Sequence, residues 1–366
     1  RVKEEFLARG LEGWPDHRVL ELLLFYTIPQ GDVNGLAHEL VERFGSLAGV
    51  LDAAEEELCR GAVRALVGNP ALFLHLCGHA DVISSVTAEI GAAEIAGRYE
   101  IVDAPVALSN NEDPMQAYQR TDASLCAAMR LAHEGAAGGV ITCGATGAVL
   151  VTSIMILGKL PRLRPILAVE LTNPAGEPLL LLDCGANIDS RPELYPAFAH
   201  LGDAYMRCIG CSSPRIALLS NGAEAKKGCE AVKAAHALLA EQPFRFVGNI
   251  EATSALRGTA DVIVCDGFHG NILLKSIEGS AKAALDEVSA RLSAAGLESA
   301  AVADILATVR RRYDYNTQGG ALLLGVRKPV MKGHGSATGE AIVHMADRLA
   351  LLCRNRFIER VAETVR

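Results

Sequence analysis

The stretch Asp266-Gly-Phe-His-Gly-Asn-Ile-Leu-Leu-Lys275 follows an apolar run at 260–265 and opens directly into a helical pattern. This order predicts a β-strand, a glycine turn and the N-terminus of a helix. Such a junction directs backbone N–H groups and the positive end of the helix dipole past the edge of a sheet, where phosphate can bind. Asn271 and Lys275 add a neutral donor and a cation, although glycines at 267 and 270 can equally serve the turn alone.

Four further glycine-rich turns share this pattern. Apolar strands are predicted at 139–143, 179–183 and 215–220, and each ends in such a turn; the turn at 332–336 precedes another helical pattern. Strands buried on both faces of a parallel sheet have continuous apolar sequences, and their C-terminal ends lie at one edge. The sequence therefore predicts a doubly wound, mostly parallel α/β fold in which all five turns meet at one crevice.

These motifs, in this order, resemble the bacterial phosphate acyltransferase (PlsX) family from about Arg64 to the C-terminus. The resemblance rests mainly on Gly144-Ala-Thr-Gly-Ala148, Leu182-Asp-Cys-Gly-Ala-Asn-Ile-Asp189, Gly248-Asn-Ile-Glu251, the 266–279 block and His334-Gly-Ser336. It implies conversion of acyl-acyl carrier protein and inorganic phosphate to acyl phosphate and free carrier protein. It also implies a fold like that of phosphotransacetylases and the isocitrate dehydrogenase class, and a homodimer without metal or cofactor.

The reaction that the resemblance implies needs a site for a phosphate dianion, because a phosphate oxygen attacks the thioester carbon. The site must position both reactants and stabilise an oxyanion. We expect the anion cradle to comprise the backbone amides of Thr146–Gly147 and Gly270–Asn271, with the ammonium groups of Lys275 and Lys227.

The same reaction needs a proton donor, which we place in the C-terminal motif. His334 and Ser336 are expected to donate to the thioester oxygen or to protonate the leaving thiolate. Asp183 and Asp266 either orient these donors or cap the turns that follow them. The other predicted substrate- and phosphate-binding residues are Ser124, Asn187, Glu224, Asn249 and Glu251.

Several departures from the family pattern lie near the predicted crevice. The family's first strand and its Asp-Ala-Met-Gly-Gly-Asp turn are absent, and the pattern resumes at 63–68, which we interpret as the second strand. The family has Asn at the positions of Ala145 and Ser220, and it has Arg at the position of Thr253. Each charge-assisted hydrogen bond to phosphate is worth about 1.5–3 kcal/mol. Two alternatives therefore stay open: an acyl-coenzyme A phosphotransacylase, and an inactive relative or truncated gene fusion.

The N-terminal segment follows a different pattern. Apolar residues at helical spacing predict two short amphipathic helices within 1–58, and this segment resembles the N-terminal part of RadC-type proteins. The sequence thus divides into a RadC-like helical appendage at 1–58 and an acyltransferase-like domain at 59–366. A DNA-binding function would rest on the short appendage alone.

Composition limits the remaining possibilities. The chain has 366 residues, 50% of them hydrophobic, and a net charge of −8, which argues against a general nucleic-acid surface. No apolar run is long enough to cross a bilayer. The ten cysteines form no periodic disulfide framework, which is typical of the reducing cytoplasm. Cys208-Ile-Gly-Cys211 and His75-Leu-Cys-Gly-His79 lack further ligands, so we predict no metal site.

A helical hairpin is predicted at 277–312, with a break near Gly296. In the family such a hairpin lies at the dimer interface, and its tip touches the membrane. We therefore expect peripheral membrane contact at the inner face and delivery of acyl phosphate to a glycerol-3-phosphate acyltransferase. The weakly apolar tip at 293–299 makes this contact a separate hypothesis from the activity.

Overall fold

The computed structural model describes residue 19 and residues 47–364, apart from 109–112, 315–318 and 336. The strands are β1 Leu74–Gly78, β2 Tyr99–Asp103, β3 Val140–Thr142, β4 Ile166–Thr172, β5 Pro178–Leu182, β6 Arg215–Leu219, β7 Arg245–Ile250, β8 Val262–Val264, β9 Ala321–Leu324 and β10 Val330–Lys332. The helices are α1 Leu47–Gly68, α2 Ala80–Ile95, α3 Pro114–Ala117, α4 Ser124–His133, α5 Thr146–Thr152, α6 Tyr195–Cys208, α7 Glu230–Ala240, α8 Gly267–Ala294, α9 Ala300–Tyr313, α10 Gly339–Arg354 and α11 Phe357–Thr364. A π-helical turn, Ser153–Leu157, extends α5.

The described strands form two sheets. A large sheet has the order β3-β10-β9-β4-β5-β8-β6-β7, and β1 pairs with β2 in a separate parallel pair. Four strand contacts of the large sheet are parallel, β3 with β10 and the consecutive contacts among β5, β8, β6 and β7. The predicted strands at 139–143, 179–183, 215–220 and 260–265 correspond to β3, β5, β6 and β8. The predicted α/β fold is confirmed.

The direction of β3 and β10 corrects one prediction. Three successive antiparallel contacts, β10 with β9, β9 with β4 and β4 with β5, separate them from the parallel group. As a result β3 and β10 run opposite to β5, β6, β7 and β8. The five glycine turns therefore do not share one edge: the turns that follow β3 and β10 lie at the opposite ends of the strands.

Helices cover both faces of the large sheet. One core packs α6, α7, α10 and α11 against one face, and includes Leu182, Phe198 and Met345. The other core packs α4, α5 and α8 against the opposite face, and includes Leu181 and Leu273. Alternate residues of β5 enter opposite cores, as the pleat of a strand requires. The sheet is thus doubly wound, as predicted.

The segment 63–68 is the end of α1 and not a strand, so that prediction was wrong. The buried residues Cys59, Ala62, Val63 and Leu66 recur at helical spacing, while Arg64 and Val67 are exposed. An apolar stripe with this period buries one side of a helix. The first described strand is instead β1, which follows α1 after a short turn.

Helices α8 and α9 form the predicted hairpin. Gly296 has a positive φ of 69° at the break, and Ser299 caps α9 by accepting a hydrogen bond from the Val302 amide. Val288, Leu297 and Ile305 of the hairpin are exposed. Across the described residues, no helix is both long enough and apolar enough to cross a membrane. Apart from residues 47–58, which lie in α1, and residue 19, the predicted RadC-like segment lies outside the described residues.

Candidate active site

Asp183 organises the loop that follows β5. Its side chain is fully buried, and its Oδ1 accepts hydrogen bonds from the amides of Leu167 (3.0 Å), Gly185 (3.2 Å) and Ala186 (3.1 Å). Its Oδ2 accepts from both the amide and the side-chain Nδ2 of Asn187, at 2.7 and 2.8 Å. Burial raises the pKa of Asp183 even though these donors oppose the rise. The carboxylate is therefore occupied in holding its own loop.

The N-terminus of α8 is occupied by its own cap. Asp266 Oδ1 accepts a hydrogen bond from the His269 amide at 2.8 Å, and its Oδ2 lies 2.7 Å from His269 Nδ1. The Gly267 amide donates to the Asn187 carbonyl, and the Gly270 amide to the Asp266 carbonyl. A carboxylate already sits at the positive end of the helix. The amide of Gly270 is therefore not available for the predicted anion cradle.

Gly270 instead permits close packing. A Cβ at this position would overlap the Asp183 carbonyl oxygen and would lie 2.7 Å from Cys265 Sγ. Only glycine lets α8 approach the end of β5 so closely. Asn271, the next residue, is exposed, and its predicted role as a donor to substrate stays a prediction.

The end of β7 and the loops after β6 and β7 carry four more predicted residues at the same edge as Asp183. Asn249 is buried, and it donates from Nδ2 to the Glu224 carbonyl while its Oδ1 lies 2.9 Å from His236 Nδ1. Asn249 therefore has a structural role. Glu224, Lys227 and Glu251 have exposed side chains, so they can meet a ligand at this edge.

The opposite edge brings together the turns after β3 and β10. Thr146 and Gly147 are exposed in the first turn of α5, and Ala145 provides no side-chain cap for that helix. His334 is also exposed, and the Gly333 amide ties its turn to β3 by donating to the Thr142 carbonyl at 2.8 Å. Ser336 lies outside the described residues. Elsewhere on this side of the molecule, Ser124 donates weakly from Oγ to the Val106 carbonyl at 3.5 Å.

Lys275 is brought near a second lysine that the sequence analysis did not select. Lys332 ends β10 and is half-buried. Burial lowers its pKa most, and the positive charge of Lys275 lowers it further. Lys275 Nζ also lies 2.8 Å from Glu278 Oε2. A charged residue within an otherwise apolar strand, directly before a glycine turn, was the signal in the sequence.

Two large apolar side chains accompany Lys275 on the outer side of α8. Phe268 and Ile272 are 53% and 48% exposed. Their spacing of four residues, with Lys275 three residues further, places all three on one side of the helix. The inner side of the same helix, with Leu273 and Leu274, is buried against the sheet. This side of α8 therefore combines a cation with exposed apolar surface.

Among the described residues, no group of three or more His, Cys, Asp or Glu side chains could hold a metal ion. All ten cysteines are free thiols. Of the four cysteines in apolar strand or helix contexts, Cys126, Cys184 and Cys265 are buried and Cys143 is partly buried.

Solved structures define the fold class. The EutD phosphotransacetylase from Staphylococcus aureus superposes with a TM-score of 0.54 at 14% identity, covering 82% of this chain and 92% of that one. A phosphotransacetylase from Streptococcus pyogenes gives a TM-score of 0.51 at 16% identity, covering 83% and 91%. The protein thus has a phosphotransacetylase-like fold.

Sequence comparison then identifies the family. The family model "Fatty acid synthesis protein" matches residues 47–360. The phosphate acyltransferase of Thermobifida fusca is 39% identical over 326 residues, which cover 86% of this chain and 88% of the relative. That of Clostridium acetobutylicum is 32% identical over 316 residues, covering 85% and 95%. The chain belongs to the phosphate acyltransferase (PlsX) family, and the predicted resemblance is confirmed.

The family match also bears on the N-terminal part of the chain. It begins at residue 47, where α1 begins, and so overlaps residues 47–58 of the predicted RadC-like segment. Helix α1 packs against α10, with the Glu57 carboxylate accepting a hydrogen bond from the Gly339 amide at 2.9 Å. The division at residue 58 and the RadC-like character of the preceding segment stay predictions.

Proposed function

We propose that this protein transfers the acyl group of acyl-acyl carrier protein to inorganic phosphate and so makes acyl phosphate for phospholipid synthesis. A phosphate oxygen forms a bond to the thioester carbon, the carbon–sulfur bond breaks, and the departing thiolate takes up a proton. Atoms and charge balance without an oxidant, a reductant or a metal. Family membership supports the reaction type, and the residues around α8 support the choice of substrates.

The proposal rests on one observation: the outer side of α8 combines a cation with exposed apolar side chains. A phosphate dianion needs a cation, which Lys275 provides, and a fatty acyl chain needs apolar surface, which Phe268 and Ile272 provide beside it. Contiguous exposed apolar patches mark interaction sites, and Phe268 and Ile272 lie one helical turn apart on the same side of α8. Phosphate and acyl chain would then meet along one helix.

The other predicted site residues are assigned roles because the structure leaves most of them exposed to solvent. His334 is exposed in the turn after β10, so we assign it to protonation of the leaving thiolate or donation to the thioester oxygen. Thr146 and Gly147 are the accessible amides of the predicted cradle. Asn271 is a second donor from α8, and Ser336 is proposed to share the role of His334, as the sequence predicts.

The partners belong to the same proposal. The acidic carrier protein would approach the N-terminal end of α8, where Phe268, Ile272 and Lys275 are exposed, and a second copy of this chain would cover Val288 and Ile305 of the hairpin of α8 and α9. We further propose action in the cytoplasm, with the hairpin tip contacting the inner face of the membrane. A glycerol-3-phosphate acyltransferase would consume the product. Flotation with liposomes tests the membrane contact, and absence of binding would remove it.

We expect phosphate-dependent release of free carrier thiol from palmitoyl-acyl carrier protein, and loss of most of it in Lys275→Ala. A hydrogen bond between charged groups contributes about 1.5–3 kcal/mol, so kcat/KM for phosphate should fall roughly 10- to 100-fold. The protein's ten free thiols require substoichiometric enzyme and a substrate-free blank in any thiol assay.

Lys282→Ala is the matched control. Lys282 is exposed on α8 and lies two helical turns beyond Lys275 on the same side, so its removal changes net charge equally. Its kinetics should equal those of the unmodified protein. Release from palmitoyl-coenzyme A but not from the carrier thioester would favour the phosphotransacylase alternative. No release from either by folded protein would identify an inactive relative.

A further inference from the structure

His269 and Asp266 form a hydrogen-bonded pair in the first turn of α8, and the sequence analysis did not select the histidine. Asp266 Oδ1 accepts a hydrogen bond from the His269 amide at 2.8 Å, and its Oδ2 lies 2.7 Å from Nδ1 of the ring. Because a carboxylate can only accept hydrogen bonds, Nδ1 is the ring nitrogen that carries the proton. The other ring nitrogen, Nε2, is therefore the one that can take up a proton and give it away.

The two side chains of this pair differ in their exposure. The His269 side chain is 61% exposed, whereas that of Asp266 is 15% exposed. A sheltered carboxylate thus fixes the orientation of an accessible imidazole. Enzymes use the same arrangement to hold a histidine that acts as general acid or base.

The imidazole borders the exposed apolar surface of α8. The rings of Phe268 and His269 meet edge to face, with 5.5 Å between their centroids and an angle of 87° between their planes. Ile272 follows His269 by three residues, and side chains at this spacing are neighbours on a helix surface. Phe268 and Ile272 are the exposed apolar residues to which the proposed function assigns the acyl chain.

A second histidine has the same kind of partner but different surroundings. His79 is also exposed, and its Nδ1 lies 3.0 Å from Glu55 Oε2. In the described segment 74–83 around it, no large apolar side chain is exposed. The pairing with a carboxylate therefore does not by itself define a site, whereas its combination with an apolar surface distinguishes His269.

We propose that His269 carries the proton of the reaction through Nε2. This proposal rests on the proposed function for the identity of the two substrates. As an oxygen of hydrogen phosphate bonds to the thioester carbon, Nε2 takes the phosphate proton; as the carbon–sulfur bond breaks, Nε2 gives that proton to the thiolate. Atoms and charge balance, and His269 ends the cycle as it began. Asp266 is a positioning residue, and His334 keeps the other role predicted for it, donation to the thioester oxygen.

His269→Asn tests the proposal on the full chain. The amide nitrogen of asparagine can replace Nδ1 and keep a hydrogen bond to Asp266, but no atom replaces Nε2. General acid–base catalysis contributes about 10²–10⁴-fold, so kcat with palmitoyl-acyl carrier protein and phosphate should fall roughly 100-fold. The urea concentration at half-unfolding should stay the same. His79→Asn makes the matched change at the other pair and should leave kcat unchanged. Equal kcat for His269→Asn and the unmodified protein would overturn the proposal.

Chemical rescue separates proton transfer from a merely structural role. Free imidazole can carry the proton in the space that His269→Ala opens, so it should raise kcat of this variant roughly tenfold. It should not change kcat of His79→Ala. Rescue of His334→Ala without rescue of His269→Ala would assign proton transfer to His334 and overturn the proposal.

Carbethoxylation with diethyl pyrocarbonate, mapped by peptide mass spectrometry, measures contact without turnover. At ten times the Kd of palmitoyl-acyl carrier protein about nine-tenths of the sites are filled, so modification of His269 should fall roughly tenfold. Modification of His79 should not change. Thiol release without protection of His269 would overturn the proposal and keep the proposed function. Protection of His269 without phosphate-dependent thiol release would defeat the proposed function and, with it, the proton transfer, while leaving His269 at the binding site of the thioester.

Discussion

Replacing Gly270 with alanine is expected to lower the free energy of unfolding by about 3 kcal/mol, the upper end of the cost of overpacking a core. The new methyl group would overlap the Asp183 carbonyl oxygen and would lie 2.7 Å from Cys265 Sγ. A backbone atom cannot rotate aside as a side chain can, so α8 must move away from β5. Urea unfolding monitored by circular dichroism measures the change.

Gly279→Ala on the same helix is the control. No atom lies within 4 Å of a Cβ built at Gly279, so the substitution adds only helix propensity and should raise stability by about 0.5–1 kcal/mol. The difference between the two variants isolates the contact with Asp183. If Gly270→Ala unfolds at the same urea concentration as Gly279→Ala, the close packing of α8 on β5 is refuted.

Replacing Asp183 with alanine is expected to cost about 4 kcal/mol, because buried donors that lose their acceptor cost about 1–3 kcal/mol each without adding fully. Its carboxylate accepts from the amides of Leu167, Gly185, Ala186 and Asn187 and from the Asn187 side chain. Domains are stable by only about 5–15 kcal/mol, so thermal unfolding should occur at a much lower temperature.

The substitution Asp183→Asn keeps the shape of the side chain but removes its charge. An amide oxygen can keep the three hydrogen bonds of Oδ1, whereas the amide nitrogen would face the two donors of Asn187. We therefore expect an intermediate loss of stability. Asp189→Ala, an exposed carboxylate of the same loop, should change stability by no more than about 0.5 kcal/mol. Equal stability of Asp183→Ala and Asp189→Ala would show that the buried network contributes little.

Much of the fold could be predicted because its strands are buried on both faces. β5, β6 and β8 are short apolar runs that end in glycine turns. This pattern can be recognised in the sequence before the order of the strands is known. Strand direction is different, since it depends on pairing between distant segments. Nothing in the residues of β3 or β10 records that three antiparallel contacts separate them from β5.

The candidate site was predicted unevenly for the same reason. A glycine before a helix can serve a ligand or a close approach of backbone, and only the neighbours of Gly270 distinguish the two. Asp183 and Asn249 carry polar groups that look available in sequence but are satisfied in the fold. Lys332 had a signal in the sequence, because it is a cation at the end of an apolar strand, but the influence of Lys275 on it depends on the fold.

The packing of α1 against α10 has a consequence for the order of folding. The Gly339 amide donates to Glu57, and β3 finds its parallel partner in β10, almost 200 residues later. Contacts between distant segments close large loops and form slowly. During synthesis α1 and β3 stay incompletely covered until β10 and α10 have left the ribosome. The need for chaperones should therefore last until α10 has been synthesised and should fall once α10 docks.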